Sequence, residues 1–243
     1  MAVRKALSTR SGQQERKPVR RMGAALALAE RRPTPQSLRD LAYEAIKHKI
    51  ITCAFKPGEY INEAGVSAVL GLGRTPVHQA IDRLMLDGMV DVIPRKGVIV
   101  KPVSFDEVIQ IIETRLLIEP QAIGLATERA DETEIKALSD VLTRAEQWTA
   151  VRNIEQMMLL DREFHFVLAR ATKNGVFGDI LCRLHERSLR FWFISLTDVA
   201  HHSEVQNEHR RIFEAVKARE VEKAQTAMRD HIESFRSNVV RYL

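Results

Sequence analysis

The chain has 243 residues, of which 45% are hydrophobic and 28% are charged, so it can bury ordinary cores in one large domain or two smaller ones. No apolar run approaches the roughly 18 residues of a membrane span, and the two cysteines, Cys53 and Cys182, form no metal or redox motif. We therefore expect a cytoplasmic protein with reduced thiols and no membrane partner.

Charge is distributed unevenly along the chain. The formal net charge is +5 overall, but it is +7 over residues 1–36, +2 over residues 37–103 and −4 over residues 104–243. Because the basic excess is confined to the N-terminal half, a polyanion is expected to meet that half. The acidic C-terminal half should have a different task.

Residues 1–36 are the first of three predicted segments. They are rich in Arg, Gln, Ser and Pro, and they show no hydrophobic periodicity outside Ala24–Ala29. We expect a mostly disordered basic arm, which either adds nonspecific phosphate contacts or is a solvated tail without a role. Pro33 and Pro35 end this arm.

Residues 37–103 carry the signals of three helices followed by a hairpin. The predicted helix starts are Ser37 with Asp40, Asn62, and Thr75 followed by Pro76. The predicted breaks are Pro57-Gly58, Gly71 and Gly88. Two β-branched runs, Met89–Ile93 and Val98–Lys101, then flank Pro94-Arg95-Lys96-Gly97. This order predicts a winged helix-turn-helix of three helices plus a β-hairpin wing.

Residues 104–243 show no strand pattern and read as about six helices. Capping boxes are predicted at Ser104 with Glu107 and at Asp131 with Glu134. The helices are expected at approximately 104–130, 132–151, 154–173, 176–196, 201–219 and 221–242. Because their connections are short, they should pack as an antiparallel bundle. The predicted fold class is mainly α, with an N-terminal winged helix-turn-helix and an all-α C-terminal bundle.

A DNA-reading surface is predicted at the start of the third helix, because a helix-turn-helix places the N-terminal end of its recognition helix in the major groove. Arg74 can bond bidentately to guanine, and Thr75 can donate to a phosphate. His78, one turn further on, could donate to a base or to a phosphate. The wing tip adds charge and close backbone approach through Arg95, Lys96 and Gly97.

The run Gly71-Leu72-Gly73-Arg74-Thr75-Pro76-Val77-His78-Gln79-Ala80, followed by Arg83-Leu84, Gly88 and Gly97, resembles the signature of the GntR family of bacterial regulators. The acidic helical half resembles the effector domain, called FCD, of the FadR-type branch of that family. Together the two resemblances cover residues 37–243. The family usually has Ser in place of Gly73 and Arg-Glu in place of His78-Gln79. Histidine is the weaker cation at neutral pH, so this departure bears on which operator half-site is read.

Four polar side chains are predicted to lie on apolar helix faces of the bundle. Asp161 and His165 share one face at i, i+4, while His209 and His231 lie on the last two helices. From spacing alone they are either satisfied core residues or ligands of Zn, Ni, Fe or Mn with positions left open. The resemblance implies a metal, since metal-binding FCD proteins have an Asp and three His at the matching positions; zinc is the expected ion.

The other histidines, His48, His185, His201 and His202, are expected at surface or capping positions. Glu163 and Glu208 neighbour the predicted ligands in sequence but are expected to point to other faces of their helices.

Three arginines are candidates for binding an effector. Arg115 on the first bundle helix would by itself be a surface ion pair, but the resemblance implies that it faces the cavity and binds an effector carboxylate. Arg187 and Arg190 on the fourth bundle helix are further candidates, one lining the cavity and the other forming a salt bridge.

The favoured function is a homodimeric repressor that binds an inverted repeat in double-stranded DNA and responds to a small organic acid held at the metal and Arg115. One alternative is a regulator for which the metal itself is the signal. Another is a metalloenzyme tethered to DNA. Because no general base or nucleophile motif accompanies the ligands, we predict that the protein is not an enzyme.

Overall fold

The computed structural model describes residues 37–102, 104–195 and 199–240; the side chains of residues 192–195 and 199–201 are not described. The predicted basic arm, residues 1–36, lies outside these ranges. The described part begins with a winged helix made of α1 (Leu38–Ile51), β1 (Tyr60–Ile61), α2 (Glu63–Leu70), α3 (Arg74–Leu86), β2 (Val90–Ile93) and β3 (Gly97–Val100). A helical bundle follows, made of α4 (Phe105–Arg129), α5 (Glu132–Ala150), α6 (Ile154–Ala171), α7 (Gly175–Ser195), α8 (Val199–Lys217) and α9 (Val221–Val240). This order confirms the predicted fold class.

The ends of the first two helices follow from local capping. The Ser37 hydroxyl accepts a hydrogen bond from the backbone N–H of Asp40, and the Asn62 side chain accepts one from the N–H of Ala64. Helix α2 ends at Gly71, whose φ of 65° lies in the left-handed region that glycine adopts without steric cost. These ends agree with the sequence.

The start of α3 differs from the prediction. Gly73 is the N-cap and makes no side-chain bond, and the helix begins at Arg74 rather than after Thr75. Pro76 is therefore in the first turn, where its missing N–H costs no helical hydrogen bond. As a result, the predicted base-reading arginine is the first residue of the recognition helix.

The wing is part of a three-stranded antiparallel sheet in the order β1-β3-β2. The hairpin β2–β3 was predicted, and its register pairs Val92 with Val98. Strand β1 was missed: only two residues pair with β3, Tyr60 with Ile99 and Ile61 with Val98. A two-residue strand is too short to produce an alternating pattern that could be recognised in the sequence.

Each half has a buried apolar face where its helices meet. In the winged helix, α1 packs against α3 through Ile46, Ile50, Ile81 and Leu84, which are fully buried. In the bundle, α4 packs along α9, α5 along α6, α6 along α7 and α8 along α9. None of the helices in the described residues is long and apolar enough to cross a membrane.

The starts of α4 and α5 show one wrong and one correct capping prediction. Asp131 and Glu134 form the predicted capping box of α5. Ser104 is the N-cap of α4 but makes no side-chain capping bond. Its expected partner, Glu107, instead accepts a hydrogen bond of 2.6 Å from Arg187 Nη2 of α7. The contact with Arg187 joins two charged groups, whereas a capping bond would join the carboxylate to a neutral N–H, so the tertiary contact prevails.

Candidate functional site

The predicted DNA-reading residues of the winged helix are all exposed. Arg74, Thr75 and His78 are exposed on α3, while Val77, Ala80 and Ile81 of the same helix are buried against α1 and the sheet. The wing residues Arg95 and Lys96 are exposed at the turn between β2 and β3, and Gly97 is exposed at the start of β3. Arg95 and Gly97 have positive φ angles of 66° and 102°, which make the tip of the wing tight.

His78 is held by carboxylates instead of standing alone. Its Nδ1 lies 3.1 Å from Glu63 Oε1 of α2, and its Nε2 lies 3.8 Å from Asp82 Oδ2. The hydrogen bond with Glu63 and the charges of both carboxylates raise the pKa of His78. Where the family usually has arginine, this chain therefore has a histidine whose positive form is stabilised by two acidic neighbours.

The predicted metal ligands come together in the interior of the bundle. Asp161 and His165 on α6, His209 on α8 and His231 on α9 are all buried. His209 Nε2 lies 3.3 Å from Asp161 Oδ1. The ring centroids of the three imidazoles are 4.9 to 5.4 Å apart. Residues that are up to 70 positions apart in sequence are therefore brought into one cluster by three helices of the bundle.

His185 of α7 belongs to the same cluster, which corrects the expectation that it is a surface or capping residue. It is buried, its Nε2 lies 3.1 Å from Asp161 Oδ2, and its ring stacks on His165 with centroids 4.1 Å apart. Ligating atoms of His165, His209 and His231 all lie within 4.8 Å of one another, and so do those of Asp161, His165 and His185. The sequence interpretation missed His185 because Glu186 and Arg187 follow it and make that stretch look solvated.

Two further predicted placements are corrected. Glu208 does not point away from the ligands: its buried carboxylate lies with Oε2 2.8 Å from His231 Nδ1. It reaches the ring across the α8–α9 contact, which periodicity along α8 alone cannot reveal. His202 is buried and not a surface residue. His48 pairs with Glu155 at the surface, Glu163 is exposed and pairs with Arg144, and the His201 side chain lies outside the described residues.

The donor set fits a divalent transition metal. His165 Nε2, His209 Nε2 and both ring nitrogens of His185 are buried and have no hydrogen-bond partner. Leaving such atoms unsatisfied costs roughly 1–3 kcal/mol each, and native interiors rarely contain them. Imidazole nitrogens beside one carboxylate are typical ligands of zinc, nickel or iron.

The protonation states suit the same chemistry. Burial would raise the pKa of Asp161, but the contact with His185 and the proximity of His209 and His231 outweigh it and lower that pKa to about 2. Burial, reinforced by His231, lowers the pKa of His209 to about 3, and burial among imidazoles places that of His165 well below its usual value. A carboxylate and neutral imidazoles are the forms that bind metal.

A small cavity of about 20 Å³ adjoins the cluster. Arg115 of α4 lies in its wall, buried, with Nε donating to Glu119 Oε1 at 2.7 Å and Nη2 to Glu119 Oε2 at 3.3 Å. The guanidinium carbon is 5.4 Å from the centre of the Phe235 ring. The cavity is lined by Arg115, Asp161, His185, Ser188, Leu189, Val205, Glu208, His231 and Phe235.

Arg187 and Arg190 are not among the residues that line this cavity, contrary to expectation. Both lie on the opposite face of α7, at the junction with the winged helix. Arg187 bonds to Glu107, and the fully buried Arg190 donates to the carbonyl of Lys101 at 3.0 Å, just after β3. They fix the orientation of α7 against the start of α4 and the base of the wing.

The same face of α7 also contacts α1. Lys47 Nζ lies 2.8 Å from Glu186 Oε1, and both side chains are buried. Arg162 of α6 donates from Nε to the same carboxylate oxygen at 2.9 Å. Helix α7 therefore presents His185 to the cluster and the next residue, Glu186, to the DNA-binding half.

Comparisons with known proteins agree with this architecture. Residues 110–234 match the FCD domain, and residues 38–100 match the bacterial regulatory proteins of the gntR family. The uncharacterized HTH-type transcriptional regulator YdhC of Bacillus subtilis is 29% identical over 203 residues, which are 82% of this chain and 89% of that protein. The HTH-type transcriptional repressor GlaR of Escherichia coli is 24% identical over 198 residues, covering 78% and 90% of the two chains.

A solved structure, that of E. coli McbR/YncC, covers 84% of this chain and 98% of its own with a TM-score of 0.77 at 20% identity, which shows a shared fold. The FCD match alone spans more than half of the chain. The chain therefore belongs to the GntR family of bacterial regulatory proteins, has an FCD domain after its winged helix, and is a transcriptional regulator and not an enzyme.

Proposed function

We propose that this regulator is a repressor whose operator affinity is controlled by a small organic acid bound beside a divalent metal in the bundle. The observation that carries the proposal is the buried cluster of imidazoles around Asp161, several of whose nitrogens have no partner, next to a cavity that contains Arg115. A buried cationic guanidinium beside a metal-binding donor set suits an anionic ligand.

The residues of the cluster would have different roles in metal binding. Asp161, His165, His209 and His231 would hold the metal, zinc being the first choice and nickel, iron or manganese the others. When bound, the metal supplies Lewis-acid attraction for a carboxylate oxygen. Glu208 fixes the ring of His231 through Nδ1, an arrangement that orients an imidazole and raises its basicity.

Arg115 would orient the acid. Its Nε and Nη2 are held by Glu119, so the guanidinium is fixed in the wall before any ligand arrives. A carboxylate entering the cavity meets the donors that Glu119 does not take. Pre-organisation of this kind lowers the entropic cost of binding.

Helix α7 connects the cavity to the DNA-binding half. His185 and Leu189 line the cavity, while Glu186 and Arg190 contact α1 and the base of the wing. A ligand that binds more tightly when α7 is in one position than in another shifts the equilibrium between the two positions of α7. The winged helix, which contacts α7, changes position with it, and the size of the shift is set by the difference in binding free energy. We infer a homodimer that binds an inverted repeat, with Arg74 of each protomer reading a half-site.

The experiment uses operator DNA selected from a random pool by the full-length protein. Operator affinity is measured for chelated and zinc-loaded protein, with and without a panel of small mono- and dicarboxylates. We expect one acid to weaken operator binding in zinc-loaded protein only, and Arg115→Met to abolish that response while leaving operator affinity intact. Zinc-loaded protein that responds to no acid and binds DNA as the chelated protein does would refute the proposal.

A metal-sensing regulator is the second candidate. The observation that favours it is the number of buried imidazoles near Asp161, since four of them could fill most of a coordination sphere and leave little room for an exchangeable ligand. In the same experiment, a change of operator affinity on zinc loading without any acid would identify the metal as the signal.

A further inference from the structure

We propose that His185 is a fifth protein ligand of the metal, so that the site has four histidines and one aspartate. This inference rests on the proposed metal site and concerns its composition. The four residues assigned from the sequence come from α6, α8 and α9, whereas His185 adds α7, the helix that contacts the DNA-binding half.

The position of His185 is that of a ligand. Its Nε2 lies 3.1 Å from Asp161 Oδ2, while His209 Nε2 lies 3.3 Å from the other oxygen, Oδ1. Two imidazoles therefore approach the two oxygens of one carboxylate, and neither nitrogen makes a hydrogen bond. Donor atoms about 3 Å apart are as close as adjacent ligands on one ion with bonds of about 2.0–2.2 Å.

A merely structural histidine would have a polar partner. His48, which is not part of the cluster, shows this: its Nε2 pairs with Glu155. In His185 both ring nitrogens are buried: Nδ1 has no polar partner, and Nε2 has only its 3.1 Å contact with Asp161. Because buried polar atoms are nearly always satisfied in native proteins, the unpaired Nδ1 and the close approach of Nε2 to Asp161 without a hydrogen bond indicate a partner of another kind.

The pattern of α7 explains why His185 faces inward despite its polar neighbours. Leu181, His185 and Ser188 follow one another at i, i+4 and i+7, and all are buried. Glu186 and Arg190 lie on a second face, which contacts the winged helix and not solvent. The helix is thus buried on two sides, and its inward face presents an imidazole to Asp161.

A fifth protein ligand changes what the site can bind. Structural zinc sites have four ligands in a closed tetrahedron, and five protein donors exceed that number. A six-coordinate ion would retain one position, which admits one carboxylate oxygen and excludes chelation by two. Nickel and iron also accept imidazole-rich sites of higher coordination number.

X-ray absorption of zinc-loaded full-length protein counts the imidazoles bound to the ion. We expect four in the wild type and three in His185→Phe, which keeps a ring against His165. Competition with a chromogenic chelator should show zinc binding weakened by more than about 100-fold, beyond the 10- to 100-fold typical of outer-sphere partners. His48→Ala, which removes a surface histidine, should change neither value. If His185→Phe fails to fold, His185→Gln gives the same count.

Each alternative outcome overturns the inference in a recognisable way. Three imidazoles in the wild type and three in the variant would show that His185 does not bind the metal, and the proposed site of Asp161, His165, His209 and His231 would stand. Weaker binding with an unchanged imidazole count would make His185 a positioning residue acting through Asp161. Wild-type protein that binds no zinc would refute the proposed metal site itself, and this inference with it.

Discussion

Lys47 of α1 and Glu186 of α7 form a buried ion pair with their Nζ and Oε1 atoms 2.8 Å apart. The pair is not isolated: Lys47 also lies 3.0 Å from Glu44, and Glu186 accepts from Arg162. Buried charges are tolerated only when partners and hydrogen bonds compensate for their lost hydration. This network therefore joins the DNA-binding half to the bundle at a defined relative position.

Breaking the pair should destabilise the protein. Removing one partner of a buried pair costs about 3–5 kcal/mol, and because Lys47 retains Glu44, we expect Glu186→Gln to cost about 3 kcal/mol. Urea unfolding measures the change. Glu163→Gln, which removes the exposed pair with Arg144, is the matched control and should cost less than about 1 kcal/mol. Equal effects of the two substitutions would mean that the α1–α7 contact does not depend on this pair.

Arg74→Ala should remove sequence recognition without unfolding the protein. Arg74 is exposed at the first turn of α3, and a bidentate contact to guanine contributes about 1–3 kcal/mol of discrimination, or roughly 5- to 150-fold in each half-site. Titration of the selected operator and of a scrambled duplex measures the loss. Lys136→Ala removes the same charge from the exposed surface of α5 and should leave the affinity ratio unchanged. If Arg74→Ala retains the wild-type ratio, another residue reads the operator.

His209→Ala should reduce the amount of metal bound per chain. The imidazole of His209 is buried and contacts Asp161, His165 and His231 in the cluster. Elemental analysis after exposure to zinc and gel filtration measures the metal content per chain. His48→Ala should bind as much zinc as the wild type. An unchanged zinc content in His209→Ala would exclude this residue as a ligand.

Metal-free protein should lose stability as the pH falls below about 6.5. The native pKa values of His165 and His209 lie far below the value of about 6.5 expected for the unfolded chain, so the unfolded state takes up protons first. The contribution is complete above pH 6.5 and is lost progressively as the pH falls towards the native pKa. For His209, whose native pKa is about 3, this loss should be about 2 kcal/mol between pH 6.5 and 5.0.

Urea unfolding of chelated protein at pH 7.5 and 5.0 tests this sign. His209→Phe, which has no group to titrate at that position, should show a smaller loss on acidification than the wild type. A wild-type stability that is constant or rises between pH 7.5 and 5.0 would contradict the depressed pKa values.

Much of the fold follows from local signals, and much of the site does not. The side chains of Ser37, Asn62 and Asp131 cap their helices as their spacing predicts, because capping involves residues two or three positions apart. Glu107 escaped prediction because its partner is 80 residues away. A capping rule considers only neighbours in sequence and does not include a distant arginine that competes for the same carboxylate.

In the cluster, too, some residues could be identified from local sequence patterns and others depend on tertiary contacts. Asp161, His165, His209 and His231 could be placed in the interior because each lies on a helix face whose other members are apolar, and the resemblance to FCD proteins then implied a metal. His185 and Glu208 could not, since the charged residues beside His185 contact the winged helix and Glu208 reaches a ring on a different helix. Periodicity identifies buried faces, but it does not distinguish a polar face turned to water from one turned to a second domain.

Because one face of α7 lines the cavity and another contacts the winged helix, operator binding should affect the affinity of the cavity for its ligand. Linkage is reciprocal: if a molecule in the cavity changes operator affinity by some factor, the operator changes that molecule's affinity by the same factor. Operator DNA would then act as an effector that changes ligand binding in the bundle. Protein bound at an operator and protein free in solution would respond to different concentrations of the same acid, so the threshold for induction would depend on how many operators are occupied.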